Sequence, residues 1–89
     1  MHRVHLVVRG RVQGVGFRYF VVRRAAALGL DGWVSNRADG SVEVEAEGGR
    51  EALASLVEAL RQGPSQAHVT DVLAAWDQGE PRHRGFDVR

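Results

Sequence analysis

The spacing of apolar residues changes within the first part of the chain. From Val4 to Arg9 apolar and polar residues alternate, apart from an extra apolar residue at Val7, and this alternation predicts a strand. Gly10 is placed to end it. The stretch 11–16 contains two closely spaced glycines, which weaken both helix and strand, so we expect a loop there.

A helix and the first half of a hairpin are predicted next. Over 17–28 the apolar side chains fall on one broad helical face, and Gly29 is placed to stop that helix. The stretch 30–37 reads as a second strand. It leads into Asp-Gly at 39–40, which predicts a tight turn, because both central residues of such a turn favour positive φ.

The pattern after this turn predicts a strand, a helix and another strand. Over 41–47 apolar residues alternate with three glutamates, so we expect one face of this strand to be buried and the glutamates to point outward. Apolar residues at helical spacing predict a second helix over 50–62, before Gly-Pro. A fourth strand is predicted over 67–76, where the apolar phase slips between Val69 and Val72, as it does at a β-bulge.

The order of these elements indicates the fold. Phe86 and Val88 give a short last strand, so the chain has the order strand, helix, strand, strand, helix, strand, with a further edge strand. This is the split βαβ arrangement of the α+β ferredoxin-like fold. We expect a βαββαβ sandwich: an antiparallel sheet with two helices on one face and a short fifth edge strand. Residues 1–89 are predicted to form a single domain.

Composition excludes several classes of site. The 89 residues include no cysteine, so there is no disulfide, thiolate metal site or cysteine nucleophile, and the four histidines lack metal-binding spacing. No apolar run could span a bilayer, and basic residues interrupt any signal-peptide core. We expect a cytoplasmic monomer with no metal site and no membrane partner.

The distribution of charge is more informative than the net charge of +1. Before Asp31 the chain carries six arginines and no acidic residue, whereas the acids gather from Glu43 onward. A basic first third of the chain can attract a small anion. Taken singly, Arg3, Arg23 and Arg24 are explained equally well as solvated surface residues with no anion to bind.

The predicted loop at 11–16 is the first candidate site. It runs from a strand into a helix N-terminus, where successive backbone N–H groups can converge on an anion. Arg18 follows in the first helical turn, and its planar guanidinium can bind two phosphate oxygens at once. A flexible loop with a surface arginine stays open as an alternative. The loop has no lysine, so it does not match a nucleotide-binding P-loop.

Asn36, just before the predicted turn, is the second candidate. An asparagine at a strand end often serves the turn itself. Alternatively, Asn36 positions a water molecule. A neutral amide suits that role because it does not repel a phosphate as a carboxylate would. The sequence alone leaves both interpretations open.

Together the two stretches resemble the signatures of the acylphosphatase family. Residues 10–18, Gly-Arg-Val-Gln-Gly-Val-Gly-Phe-Arg, resemble the first signature, Gly-x-Val-Gln-Gly-Val-x-Phe-Arg. Residues 32–36, Gly-Trp-Val-Ser-Asn, with Asp-Gly-Ser-Val-Glu at 39–43, resemble the second. Phe-Asp-Val-Arg at 86–89 is similar to the family's closing strand. Length and predicted fold also match, so the resemblance covers the whole chain, with no departure at a functional position.

The resemblance implies an enzyme that hydrolyses carboxyl-phosphate mixed anhydrides (acyl phosphates) to carboxylate and inorganic phosphate. It implies that no metal, cofactor or covalent enzyme intermediate is used, and that the partner is a small-molecule acyl phosphate. By resemblance, Arg18 binds the phosphate and Asn36 orients the attacking water. The loop would bind the same phosphate through the backbone amides of Val12, Gln13, Gly14, Val15, Gly16 and Phe17.

Two other functions fit the same topology. An RNA-recognition domain needs its aromatic motif on the third strand, but that strand carries three glutamates, so we expect no nucleic-acid partner. The second is a non-catalytic phosphate- or carbamoyl-phosphate-binding or regulatory module, as in hydrogenase maturation proteins. In those proteins further domains follow, whereas this sequence stops at Arg89, which favours a free-standing enzyme. The sequence shows nothing selective for the acyl half of a substrate.

Overall fold

The computed structural model describes all 89 residues. Its elements follow the predicted order, and most bounds lie within two residues of the predicted ones. The first strand continues past Gly10, which was wrongly expected to end it. The elements are β1 (His2–Arg11), α1 (Phe17–Ala27), β2 (Asp31–Asn36), β3 (Val42–Gly48), α2 (Arg50–Gln62), β4 (His68–Gln78) and β5 (Phe86–Val88).

The five strands form one sheet in the order β4-β1-β3-β2-β5. The first four pair antiparallel, whereas β5 pairs parallel to β2, with Val88 opposite Val34. Both helices pack against one face. The predicted ferredoxin-like α+β fold is therefore confirmed, and its fifth strand adds a parallel pairing at one edge.

The core lies between that sheet face and the two helices, as the periodicity predicted. Val4, Leu6 and Val8 of β1 face the helices and stand opposite alternate residues of β3. Burying each such aliphatic side chain contributes about 1.5–3 kcal/mol. The helices bury Phe17, Val21, Ala25, Leu53, Leu56, Val57 and Leu60.

A β-bulge interrupts β4 where the apolar phase slips, as predicted. Arg9 stands opposite Asp71 but Gly10 stands opposite Val69, so Thr70 is the extra residue. Gly10 has φ 125°, and a Cβ there would lie 2.1 Å from the carbonyl oxygen of His68. Only glycine fits where β1 leads into the loop before α1.

The connection between β2 and β3 differs from the tight turn expected at 39–40. Gly40 has φ 91°, but Asp39 does not have positive φ. The chain closes through a wider loop, in which Arg37 N–H donates to the Ser41 carbonyl oxygen at 2.9 Å. The side chain of Asp39 accepts hydrogen bonds from the backbone N–H and hydroxyl of Ser41. These two bonds hold Asp39 against Ser41, the residue before β3.

Glu47 is buried, although the alternation predicted an exposed side chain. The connection from β4 to β5 crosses the open sheet face and covers it, so Glu47 is 0% exposed. Its Oε1 accepts hydrogen bonds from the backbone N–H groups of Arg82 at 2.8 Å and His83 at 2.6 Å. The Arg3 guanidinium lies 3.5 Å from its Oε2. Burial raises the pKa of Glu47, but these N–H groups and nearby positive charges outweigh it and hold the pKa below its ordinary value.

We expect this carboxylate to make folding stability depend on pH in acid. The pKa is lower in the folded chain, so the stabilisation is complete above the ordinary value of 4.5 and is lost as pH falls through the folded value. Glu47→Gln should destabilise the fold by about 2 kcal/mol at pH 7, because hydrogen bonds to charged groups contribute roughly 1.5–3 kcal/mol. Its stability should then fall less than wild type between pH 5 and pH 3. Urea midpoints measured across that pH range give both the loss of stability at pH 7 and its dependence on pH. The control is Glu51→Gln, because Glu51 is exposed on α2. If the stability of Glu47→Gln depended on pH as steeply as that of wild type, Glu47 would not be the source of the pH dependence.

Candidate active site

The loop between β1 and α1 is shaped by two glycines with positive φ. Gly14 has φ 73° and Gly16 has φ 79°. A Cβ at either position would meet nothing within 4 Å, so glycine is needed here for its backbone conformation and not for space. Gly16 is the N-cap of α1, and its left-handed conformation turns the loop back over the helix N-terminus.

The N–H groups of this loop have no partners within the protein. None of the backbone N–H groups from Val12 to Tyr19 donates a hydrogen bond to another protein atom. Helix α1 has no side-chain cap and no acidic residue in its first turn. Unpaired amides at a helix N-terminus carry partial positive charge, so this end of α1 can receive an anion.

Arg18 adds a full positive charge beside these amides. It is exposed, in the first turn of α1, and makes no ion pair and no hydrogen bond. A cation at a helix N-terminus is unfavourable for the helix dipole, and nothing in the protein offsets that cost. The guanidinium is therefore free to bind a ligand with its full set of donors.

Asn36 brings an unpaired acceptor to the same place. It is the last residue of β2, and its Oδ1 is fully buried without a hydrogen-bond partner. Leaving a buried acceptor unpaired costs roughly 1–3 kcal/mol. Asn36 does not serve the turn, which is closed by Arg37, Asp39 and Ser41. Of the two interpretations that the sequence left open, the geometry favours a role in the pocket.

The loop, Arg18 and Asn36 meet around one pocket, which we call the phosphate pocket. Its volume is about 330 Å³, and it contains no carboxylate and no imidazole. Two of the predicted loop residues, Gln13 and Val15, do not line it. The lining residues are Val12, Gly14, Gly16, Phe17, Arg18, Tyr19, Asn36 and Val88.

Sequence reasoning missed two features of this site. Gln13 was considered only for its backbone, but its side-chain Nε2 donates to the carbonyl oxygens of Arg37 at 2.8 Å and Ser41 at 2.9 Å. This side chain ties the loop to the residues that follow Asn36. Val88 reaches the pocket through the parallel pairing of β5 with β2, which no local pattern indicates.

Asp39, the acidic residue next to this site, is already engaged. The Ser41 hydroxyl and backbone N–H, both donating to its carboxylate, hold the pKa of Asp39 below its ordinary value. It stays ionised at neutral pH and does not line the phosphate pocket. No carboxylate or imidazole that could act as a general base therefore lines the pocket.

Two further findings concern the molecule as a whole. No three histidine, aspartate or glutamate side chains come together as a metal-ion site. With 11 and 13 residues, the two helices fall short of the roughly 20 apolar residues that a bilayer span needs.

Comparison with known proteins gives a consistent result. A family model described as Acylphosphatase matches residues 4–88. An acylphosphatase of Salinibacter ruber is 51% identical over 87 residues, which cover 98% of this chain and 92% of that protein. The crystal structure of an acylphosphatase from Bacillus subtilis is 45% identical, covers 100% of this chain and 99% of that chain, and has a TM-score of 0.96. The crystal structure of HypF from T. kodakarensis is 32% identical, with a TM-score of 0.86 over 100% of this chain and 12% of that chain.

Proposed function

We infer the roles of individual residues from one premise: this chain belongs to the acylphosphatase family and is an enzyme that hydrolyses acyl phosphates. We propose that Arg18 and the loop amides bind the phosphoryl group and that Asn36 orients the attacking water. One observation carries this proposal: backbone N–H groups without partners and the unpaired side chain of Asn36 lie at the same pocket.

Phosphate binding uses the free amides and Arg18 together. The amides from Val12 to Phe17 lead into the first residue of α1 and donate no hydrogen bond within the protein. Arg18 contributes two parallel N–H donors to two phosphate oxygens. Because the loop amides are already in place at the start of α1, they need little reorganisation when charge on the peripheral oxygens must be stabilised.

Asn36 acts on the water. Its side-chain amide lines the phosphate pocket and forms a hydrogen bond with a water molecule, which then points its lone pair at the phosphorus atom, in line with the leaving carboxylate. An amide is suited to this position because it carries no negative charge against the phosphate. Its lack of any protein partner supports this role.

The chemistry requires little acid–base assistance. Water adds to phosphorus as the bond from phosphorus to the acyl oxygen breaks, through a loose transition state. The bonding electrons leave with the carboxylate, a weak base that needs no general acid. No carboxylate or imidazole lines the pocket to accept the water proton, so this proton passes to a phosphoryl oxygen, and the products are carboxylate and inorganic phosphate. This scheme needs no metal.

A titration with inorganic phosphate, the product, tests the proposed binding site. We expect the largest ¹⁵N–¹H shifts at the amides of residues 12–19 and at the Asn36 side chain, because most of these residues line the pocket and these amides have no partner in the protein. Amides of α2 serve as the internal control. A shift pattern centred elsewhere, or spread evenly over the chain, would show that the loop is not the phosphate site.

A further inference from the structure

A second and larger cavity lies beside the phosphate pocket. We call it the side groove; its volume is about 700 Å³. It shares Gly14, Gly16 and Tyr19 with the phosphate pocket, so the two are adjacent at the loop. It lacks Arg18 and Asn36, so it is not the place of the chemistry. Its lining residues are Gly14, Val15, Gly16, Tyr19, Phe20, Arg23, Arg24, Pro64, Ser65 and Gln66.

The side groove is positively charged and contains no acidic residue. Arg23 and Arg24, on consecutive positions of α1, supply the charge. The Arg23 guanidinium lies 5.6 Å from the centre of the Tyr19 ring, and that of Arg24 lies 5.0 Å from the centre of the Phe20 ring. Each arginine thus stacks on the aromatic residue one helical turn earlier, which holds both cations along the groove.

Neither arginine has an anionic partner in the protein. Both are absent from every ion pair and from every side-chain hydrogen bond of the structure. Helix α1 contains no acidic residue, so no neighbour on the same helix competes for them. A second anion entering the side groove would meet two cations already held in position.

We propose that the side groove binds the acyl half of substrates whose acyl group carries a second anionic group. This proposal rests on the proposed function, because it places the phosphoryl group at the loop amides and Arg18. Arg23 and Arg24 lie five and six residues after Arg18, which is about 7.5–9 Å along the helix axis. An acyl group that extends from the phosphate pocket past Tyr19, which lines both sites, can bring its far carboxylate to the two arginines.

Arg23 and Arg24 determine specificity and do not take part in the chemistry. They lie outside the phosphate pocket and do not touch the reacting phosphorus. Their interaction with a distant carboxylate is the same in the bound substrate and in the transition state. Uniform binding of this kind lowers KM and leaves kcat unchanged.

The experiment compares benzoyl phosphate with 4-carboxybenzoyl phosphate, a rigid substrate that differs by one distal carboxylate. We expect wild type to have an about five- to tenfold lower KM for the carboxylated substrate, since each partly exposed charge pair is worth up to about 1 kcal/mol. The double variant R23Q/R24Q should lose this preference, with kcat for both substrates and KM for benzoyl phosphate within about twofold of wild type.

The matched control is R82Q/R84Q. It removes two exposed arginines from the β4–β5 connection, whose side chains make no hydrogen bond or ion pair. We expect it to keep the preference. Equal loss in both double variants would mean that net charge alone attracts the second anion, which overturns the proposal.

Other outcomes also decide the matter. A wild-type enzyme with no preference for the carboxylated substrate, or a preference retained in R23Q/R24Q, overturns the proposal. If the double variant does not fold, Arg23→Gln and Arg24→Gln carry the test, and each should lose part of the preference. Benzoyl phosphate keeps this test separate from the proposed function: failure of Arg18 and the loop amides as the phosphate site would appear with both substrates, whereas failure of the side groove appears only with the carboxylated one.

Discussion

Replacing Arg18 with glutamine is expected to lower kcat/KM for benzoyl phosphate by more than about 10³-fold. Removing a single preorganised donor typically lowers the rate by about 10²–10³-fold. Arg18 provides two donors and a full charge, and it has no other partner that could explain its position. Its loss should weaken both the binding of the phosphoryl group and the stabilisation of the transition state.

The measurement is the initial rate of benzoyl phosphate hydrolysis with EDTA present. Rapid wild-type turnover under these conditions is expected, since no step in the proposed scheme uses a metal. Arg61→Gln is a charge-matched control, because Arg61 is exposed on α2 and pairs only with Glu58. A folded Arg18→Gln enzyme that retained wild-type turnover would remove Arg18 from the mechanism. No turnover by folded wild type would favour the non-catalytic binding module.

Replacing Asn36 with alanine is expected to lower kcat by about 10²-fold, the usual cost of a misplaced reacting group. Inhibition by inorganic phosphate should change by less than about threefold, because Asn36 is assigned to the water and not to the phosphoryl group. Folding stability should not fall, since the substitution removes a buried Oδ1 that has no partner.

Three measurements separate this role from a structural one: kcat, the inhibition constant of phosphate and the urea midpoint. Ser35→Ala is the neighbouring control, because Ser35 precedes Asn36 on β2 and does not line the phosphate pocket. If Asn36→Ala kept full kcat, the water-positioning role would be wrong. A loss of kcat that came with an equal loss of stability would point to damage of the fold.

The parts of the fold that were predicted well depend on short-range periodicity. Helix α2 has the predicted bounds because its apolar residues recur at helical spacing between glycines, and the bulge in β4 appears where the apolar phase slips. The loop and Arg18 are adjacent in the sequence, so a single motif of nine residues predicts this part of the candidate site. Asn36 joins them only through the pairing of β2 in the sheet, yet its neighbours carried a second signature.

The parts that were missed depend on where a chain segment lies relative to distant ones. Glu47 belongs to a clean alternation that predicts exposure, but an aperiodic connection more than thirty positions later covers it. The side groove depends on the approach of Pro64 and its neighbours to α1, so Arg23 and Arg24 looked like ordinary surface arginines in the sequence.

The uncapped start of α1 has a consequence for efforts to make this protein more heat-resistant. A standard stabilising design would give the helix a Ser or Asp cap, worth about 0.5–2 kcal/mol, and acidic residues in its first turn. A capping side chain requires extended backbone, whereas Gly16 is left-handed with φ 79°. Such a side chain would also occupy the amides that we propose bind the phosphoryl group. Thermostability and turnover therefore oppose each other at this turn. Under the proposed site assignment, the bound anion itself acts as the helix cap, so we expect the fold to be most stable when the site is occupied.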